Sequence, residues 1–359
     1  MKKLIALLLA MVMVLGLAAC GGTGSETTGE PAGTTAGNNA GDETTAAPAT
    51  SDVTYAIVAK SEGNPYMEKM VDGFKEACAA LGVKCEVKYP ETATNIEDQI
   101  AVINELIAQG VKGIAIAAND AEALSATLEE AKAEGITIIT LDSDTTGSQM
   151  FINQAGVKEV AQVLVDSVYD MAGGEGKFAV LSAASTATNQ NAWIAAMEEI
   201  IKADEKYASL EWVETVYGDD ESQKSTDETQ NLMTKYPDLK VICCPTTVGV
   251  LACAKAVQDS GSSIKVAGLG LPSEMKDYVG DDKVCPYMYL WNPIDVGSCA
   301  AYAIKAIADG KVGEVGTSFT ADNGTTYEIM EGDNAELQII VGPPFAFNGE
   351  NIAEWASVY

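Results

Sequence analysis

The chain of 359 residues contains no histidine. That removes the commonest general base, the usual Ser–His and Cys–His pairs and most zinc sites. Basic residues are scarce: 22 Lys and Arg stand against 52 Asp and Glu, a formal net charge of −30. Such a surface repels nucleic acid, and with no Lys/Arg cluster it offers little to an anionic ligand. The eight cysteines contain no Cys-x-x-Cys spacing, so neither a metal centre nor a dithiol redox site is expected. The GLGLP stretch at 268–272 lacks the spacing of a dinucleotide loop. Aromatics are only 6% of a chain that is 47% hydrophobic, ordinary for a soluble α/β protein. These absences favour binding of a neutral ligand over chemistry, with no cofactor and no metal. Carboxylate or lysine catalysis is the enzymatic route that stays open.

The N-terminus reads as targeting rather than fold. Lys2 and Lys3 precede an apolar stretch, Leu4 to Leu15, too short for an ordinary spanning helix. Leu17-Ala18-Ala19-Cys20 then resembles a bacterial lipoprotein signal, in which Cys20 is lipidated and becomes the mature N-terminus. Lipid on Cys20 would hold the protein on the outer side of the cell membrane without a spanning helix. Residues 21–52, rich in Gly, Thr and Ala, show no apolar period and read as a disordered tether with a reach of roughly 30 Å. Of the seven other cysteines, Cys78 and Cys85 straddle a helix end at a spacing compatible with pairing, and the set as a whole reads as small buried hydrophobes.

From residue 53 the pattern alternates strands and helices. The apolar runs Tyr55–Ala59, Gly113–Ala117, Ile136–Leu141, Lys177–Ser182, Leu239–Cys244 and Ile264–Leu269 read as buried strands. Between them lie segments of helical spacing, such as Met67–Leu81 and Ile96–Gln109, ended by Gly82 and Gly110. Such alternation predicts parallel, doubly wound sheets, here two α/β lobes of similar size.

Ligands of such sheets bind beyond the carboxyl ends of the strands. The residues there are Lys60 and Tyr66 after the first strand, Asp142 and Asp144 after Leu141, and Asn189 and Gln190 after Ser182. Pro245 and Thr247 follow Cys244, and Trp291 follows Leu290. Carboxylate, amide, hydroxyl and ammonium groups beside aromatic faces suit a small polyhydroxylated molecule. Lys60 has Asp142 as its natural partner. Asp120 reads as a helix N-terminal residue ahead of Ala121, and Trp193 as helix packing. A hydrolase built on Asp142 and Asp144 is the enzymatic alternative.

The stretches QIAVINELIAQGVKGIAIAANDAEAL (99–124), LDSD (141–144), TNQNAWIAAM (188–197), KYPDLKVICCPTTVGVLA (235–252), VAGLGLPSEM (266–275) and LWNPIDVG (290–297) carry a family resemblance over residues 53 to about 355. The chain resembles type I periplasmic sugar-binding proteins, the receptor subunits of ABC importers, in the subgroup of rhamnose-binding proteins and autoinducer-2 receptors. The resemblance implies a monomer of two lobes joined by three hinge strands, closing on a sugar or autoinducer-2 and presenting it to a membrane permease. The implied first lobe comprises 53–152 and 291–313, the second 153–290 and 314–359, with crossings near Phe151–Gln154, Met288–Trp291 and Val312–Ser318. Autoinducer-2 receptors use a Lys, an Asp, an Asp-Gln pair and a Pro with a nearby Ala. Here these positions read Lys60, Asp142, Asn189-Gln190 and Pro245 with Thr247. The departures are Asn at 189 and Thr at 247, and the TNQN and PTTVGVLA stretches look closer to the rhamnose-binding members. The same fold also serves sensory receptors that deliver ligand to a signalling partner.

Overall fold

The computed structural model describes residues 51–359. The signal segment, Cys20 and the tether as far as residue 50 lie outside these residues. In chain order the first elements are β1 (Thr54–Val58), α1 (Pro65–Leu81), β2 (Lys84–Lys88), α2 (Ile96–Gln109), β3 (Gly113–Ile116), α3 (Ser125–Ala133), β4 (Thr137–Leu141) and β5 (Met150–Asn153). Then come α4 (Val157–Ala172), β6 (Gly176–Ser182), α5 (Thr188–Ala203), β7 (Leu210–Tyr217), α6 (Ser222–Lys235), β8 (Leu239–Cys244), α7 (Thr247–Ser260), β9 (Lys265–Gly268) and α8 (Pro272–Met275). The chain ends with β10 (Tyr287–Leu290), α9 (Pro293–Ala308), β11 (Ser318–Thr320), β12 (Thr326–Glu328), β13 (Met330–Glu331), β14 (Leu337–Ile340), β15 (Phe345–Asn348) and α10 (Ile352–Trp355).

Two sheets organise these elements. The first runs β13-β14-β5-β4-β3-β1-β2 and is parallel except for β13. The second runs β7-β6-β8-β9, all parallel. The antiparallel pair β10–β15 continues it through a bridge from Leu269 to Tyr289. Strand side chains alternate between faces, so β1 serves two cores. Tyr55 and Ile57 pack with Met67, Met70 and Phe74 of α1. Ala56 and Val58 pack on the opposite face with Ile103 and Leu106 of α2 and Leu128 of α3. Helices α1 and α9 approach backbone to backbone, because a Cβ on Gly73 would collide with the Ile294 carbonyl and one on Gly297 with that of Met70.

The chain passes between the sheets after β5, between β10 and α9, and between β14 and β15. The last crossing, at Val341–Pro344, corrects the expected position at Val312–Ser318. It also corrects the assignment of 314–359 to the second lobe. Residues through Val341 stay with the first sheet, because β14 pairs in parallel with β5, Leu337 beside Met150 and Ile340 beside Asn153. Without β14, β5 would expose an unpaired edge. Only the segment from β15 joins the second sheet, where Tyr359 accepts a backbone bond from Ser273. Among the described residues all seven cysteines are free thiols, Cys78 and Cys85 included. Burial pushes Cys285 and Cys299 up to about 12, so they behave as small apolar side chains.

Candidate functional site

The carboxyl ends of both sheets face one cavity of about 350 Å³, counting its open mouth. Lys60 enters it directly after β1. Its carbonyl accepts from Asn119 Nδ2 at 2.9 Å, and Asn119 is itself fixed by Gln99, whose Oε1 accepts from the Asn119 backbone N–H. A tight turn at Gly63, with φ of 76°, leads to Asn64. Asn64 caps α1 by accepting from the backbone N–H groups of Tyr66 and Met67. That cap and Pro65 aim Tyr66 into the cavity.

Asp142 sits at the end of β4 with φ of 62°, a left-handed conformation uncommon outside glycine. The turn brings its Oδ2 to 3.1 Å from Lys60 Nζ, with both side chains almost wholly buried. From the second lobe, Asn189 Oδ1 accepts from Lys60 Nζ at 3.0 Å, and Asn189 Nδ2 donates to Asp142 at 3.2 Å. Ion pair and amide thus satisfy one another in a place where an unpaired charge would be costly.

The aromatic side is equally connected. Trp291 Nε1 donates to the Tyr66 hydroxyl at 2.6 Å, and the Trp193 ring lies 5.6 Å from that of Trp291. Burial and the nearby Asp142 carboxylate hold the Tyr66 phenol well above its ordinary range, and the bond from Trp291 works against them. Gln190, Pro245 and Thr247 complete the expected set.

Eight of the nine expected ligand residues line this cavity; Asp144 does not. Its carboxylate accepts from Thr140 Oγ1 at 2.5 Å, Ser148 Oγ at 3.2 Å and the Ala335 backbone at 2.9 Å. It therefore ties β4 to the loop before β14. Burial raises its pKa, and these bonds oppose the shift. Asp120 caps the turn ahead of α3 by accepting from Glu122 and Ala123.

The expected ligand set omits Asn64, Met67, Asp220, Thr246, Leu269 and Leu290, and Trp193, read as helix packing, also lines the cavity. Asp219 and Asp220 both adopt left-handed φ after β7, and Thr246 Oγ1 donates to Asp220 at 2.5 Å. Burial raises the Asp220 carboxyl; the Thr246 bond and the Lys60 charge work to lower it. The signal for Asp220 was its place directly beyond a strand end. With one ammonium and two carboxylates, the cavity suits neutral hydroxyl-bearing molecules and disfavours anions.

The sequence profile of the family described as "Periplasmic binding protein domain" matches residues 55–312. The D-allose-binding periplasmic protein of Escherichia coli is 25% identical over 272 residues, covering 72% of this chain and 84% of the relative. A solved ABC transporter solute binding protein from Clostridium phytofermentas with bound L-rhamnose is 50% identical, with a TM-score of 0.83, covering 86% of this chain and all of that one. LsrB from Clostridium saccharobutylicum in complex with AI-2 is 23% identical with a TM-score of 0.78, covering 84% of this chain and 99% of that one, a likeness of fold.

Proposed function

This chain belongs to the periplasmic binding protein family, and from that premise we propose that it captures a 6-deoxyhexose, L-rhamnose foremost, in its interlobe cavity. It is a solute-binding protein of an ABC transporter, not an enzyme. The observation that carries the sugar reading is the composition of the cavity. A buried Lys60–Asp142 pair, Asn189, Gln190 and Thr247 face three aromatic rings. Hydroxyls are met by both charges and by neutral amides, while Tyr66, Trp193 and Trp291 supply apolar faces for ring C–H groups and a methyl. The rhamnose-bound protein that is 50% identical adds weight to this sugar class.

Hydrogen bonds to charged groups contribute about 1.5–3 kcal/mol each. Four or five of them, less the cost of association, suffice for micromolar binding or better. Closure of the lobes on the sugar then forms the surface presented to the permease. Cys20 carries the lipid that holds the protein, as a monomer, outside the cell membrane. Autoinducer-2 is the second ligand to test, because Lys60, Asp142, Gln190 and Pro245 match the residues that its receptors use.

Calorimetric titration of the ligand-stripped protein with L-rhamnose, other deoxy sugars, pentoses and autoinducer-2 tests this directly. Tight binding of L-rhamnose is the expected result. Tight binding of autoinducer-2 alone would transfer the assignment to a signal receptor. Silence from every compound would sink the ligand assignment.

A further inference from the structure

A second cavity lies on the hinge side of the first, and Asn189 and Trp193 line both. It measures about 420 Å³ with its mouth, as large as the first. Its lining comes from the first crossing segment, from α5, and from Asp333 and Asn334 of the first lobe.

Gln154 is the unusual feature of this cavity. It is only 1% exposed, yet neither its amide oxygen nor its amide nitrogen has a hydrogen-bond partner in the protein. The Thr188 hydroxyl, on the same lining, is likewise buried without a partner. Buried polar groups left in this condition cost about 1–3 kcal/mol each. Such groups call for a partner that the protein itself does not supply, a water or a ligand. The demand is specific: an amide offers one acceptor and two donors, and a hydroxyl offers one of each. Hydroxyls answer both. Phe151 and Trp193 add ring surface of the kind that packs on sugar C–H groups. The Asp144 and Asp333 carboxylates on the lining, with no Lys or Arg there, disfavour an anion.

We infer that this cavity is a second subsite for a neutral sugar unit, held by Gln154 and Thr188 and bridging the two lobes at the hinge. The inference rests on the sugar reading of the first cavity. Two sources offer the same chemistry: the far residue of a disaccharide whose near residue fills the first cavity, or a second free monosaccharide. An occupant that touches both lobes favours closure. By linkage it tightens binding at the first cavity, and occupancy of the first cavity tightens it in return.

Calorimetry separates the sources. L-Rhamnose and rutinose, a disaccharide ending in L-rhamnose, are titrated into the wild type, Gln154→Leu and Thr188→Val. A second free sugar appears as two binding events per chain with L-rhamnose. A disaccharide appears as one event, with rutinose at least about tenfold tighter than L-rhamnose, or about 1.4 kcal/mol. In either case both variants lose the second event or the tenfold gain while keeping the first-site affinity of the wild type. That retained affinity shows that the variants are folded. A single L-rhamnose event with no gain for rutinose would mean that solvent alone meets Gln154, and would overturn the subsite while leaving the first cavity standing. Failure of every sugar in the panel to bind would remove the reading beneath it, and the subsite with it.

Discussion

The two walls of the first cavity differ in kind. The first-lobe wall carries a full ion pair, Lys60 with Asp142, both from that lobe. The second-lobe wall meets it with an amide, and its other polar contributions are mainly Gln190, Thr246 and Thr247, with Asp220 tied to its own Thr246. Opposite charges are therefore neutralised within one rigid wall, and the polar bonds that cross the cleft involve the neutral groups of Asn189 and Thr186. Opening the cleft then breaks hydrogen bonds between these charges and a neutral amide, about 1.5–3 kcal/mol each. It does not separate a buried ion pair, which would cost several kcal/mol. The closure and release proposed for this protein would gain from that division.

The strongest way to break this comparison is Asp142→Ala. Lys60 would be left in a buried site without its carboxylate, and sugar affinity should fall by about 2–5 kcal/mol by calorimetry, with the far-ultraviolet circular dichroism unchanged. Undiminished binding would show that the charge on the first wall does not serve the ligand. Asp144→Ala sharpens the contrast between two carboxylates two residues apart. It strands Thr140, Ser148 and the Ala335 amide, so denaturant unfolding should report a loss of about 2–4 kcal/mol. The sugar affinity of the folded protein should stay within a few-fold of wild type, and a collapse like that of Asp142→Ala would erase the distinction. Next comes Tyr66→Phe, which leaves the Trp291 indole N–H without its acceptor and should cost about 1–3 kcal/mol of stability. Asn189→Ala, on the neutral wall, should weaken binding by about 1–2 kcal/mol, less than Asp142→Ala. A loss as large as that of Asp142→Ala would place the energetic weight on the wrong wall.

The smallest effect concerns Asp220, whose carboxyl burial raises. The folded state then keeps that proton at pH values where the unfolded chain has already released it. The Asp220 contribution to stability is accordingly most favourable at low pH and declines as pH climbs from the ordinary carboxylate range through the raised value. Asp220→Asn should remove that part of the slope, measured as urea midpoints from about pH 4 to about pH 7. A slope identical to wild type would mean that Asp220 titrates alike in both states.

Strand and helix identity through Leu269 was legible because buried parallel strands are unbroken apolar runs and the helices end at glycines such as Gly82 and Gly110, both left-handed. Lys60, Asn189 and Gln190 were legible by the same logic, as polar groups placed directly beyond strand ends. Asp142 and Asp144 looked alike because both follow β4 within three residues. What separates them is the left-handed turn at Asp142 and the arrival of Ala335 from 191 residues away. Trp193 has ordinary helical spacing, and its second role as cavity wall appears only when Trp291 is folded against it. Helix α9 and the short strands after it were not read, since strands of two to four residues carry too little periodicity.

By itself the sequence determined the parallel α/β architecture and most of the cavity lining, because these depend on local pattern and the end of each strand. Only the tertiary structure decided that β14 returns to the first sheet, that Asp144 braces the Ala335 loop and does not line the first cavity, and that Asp220 faces that cavity. Each of those rests on a pairing between distant segments, where an open strand edge or a buried charge takes the nearest partner in space, whatever its distance along the chain.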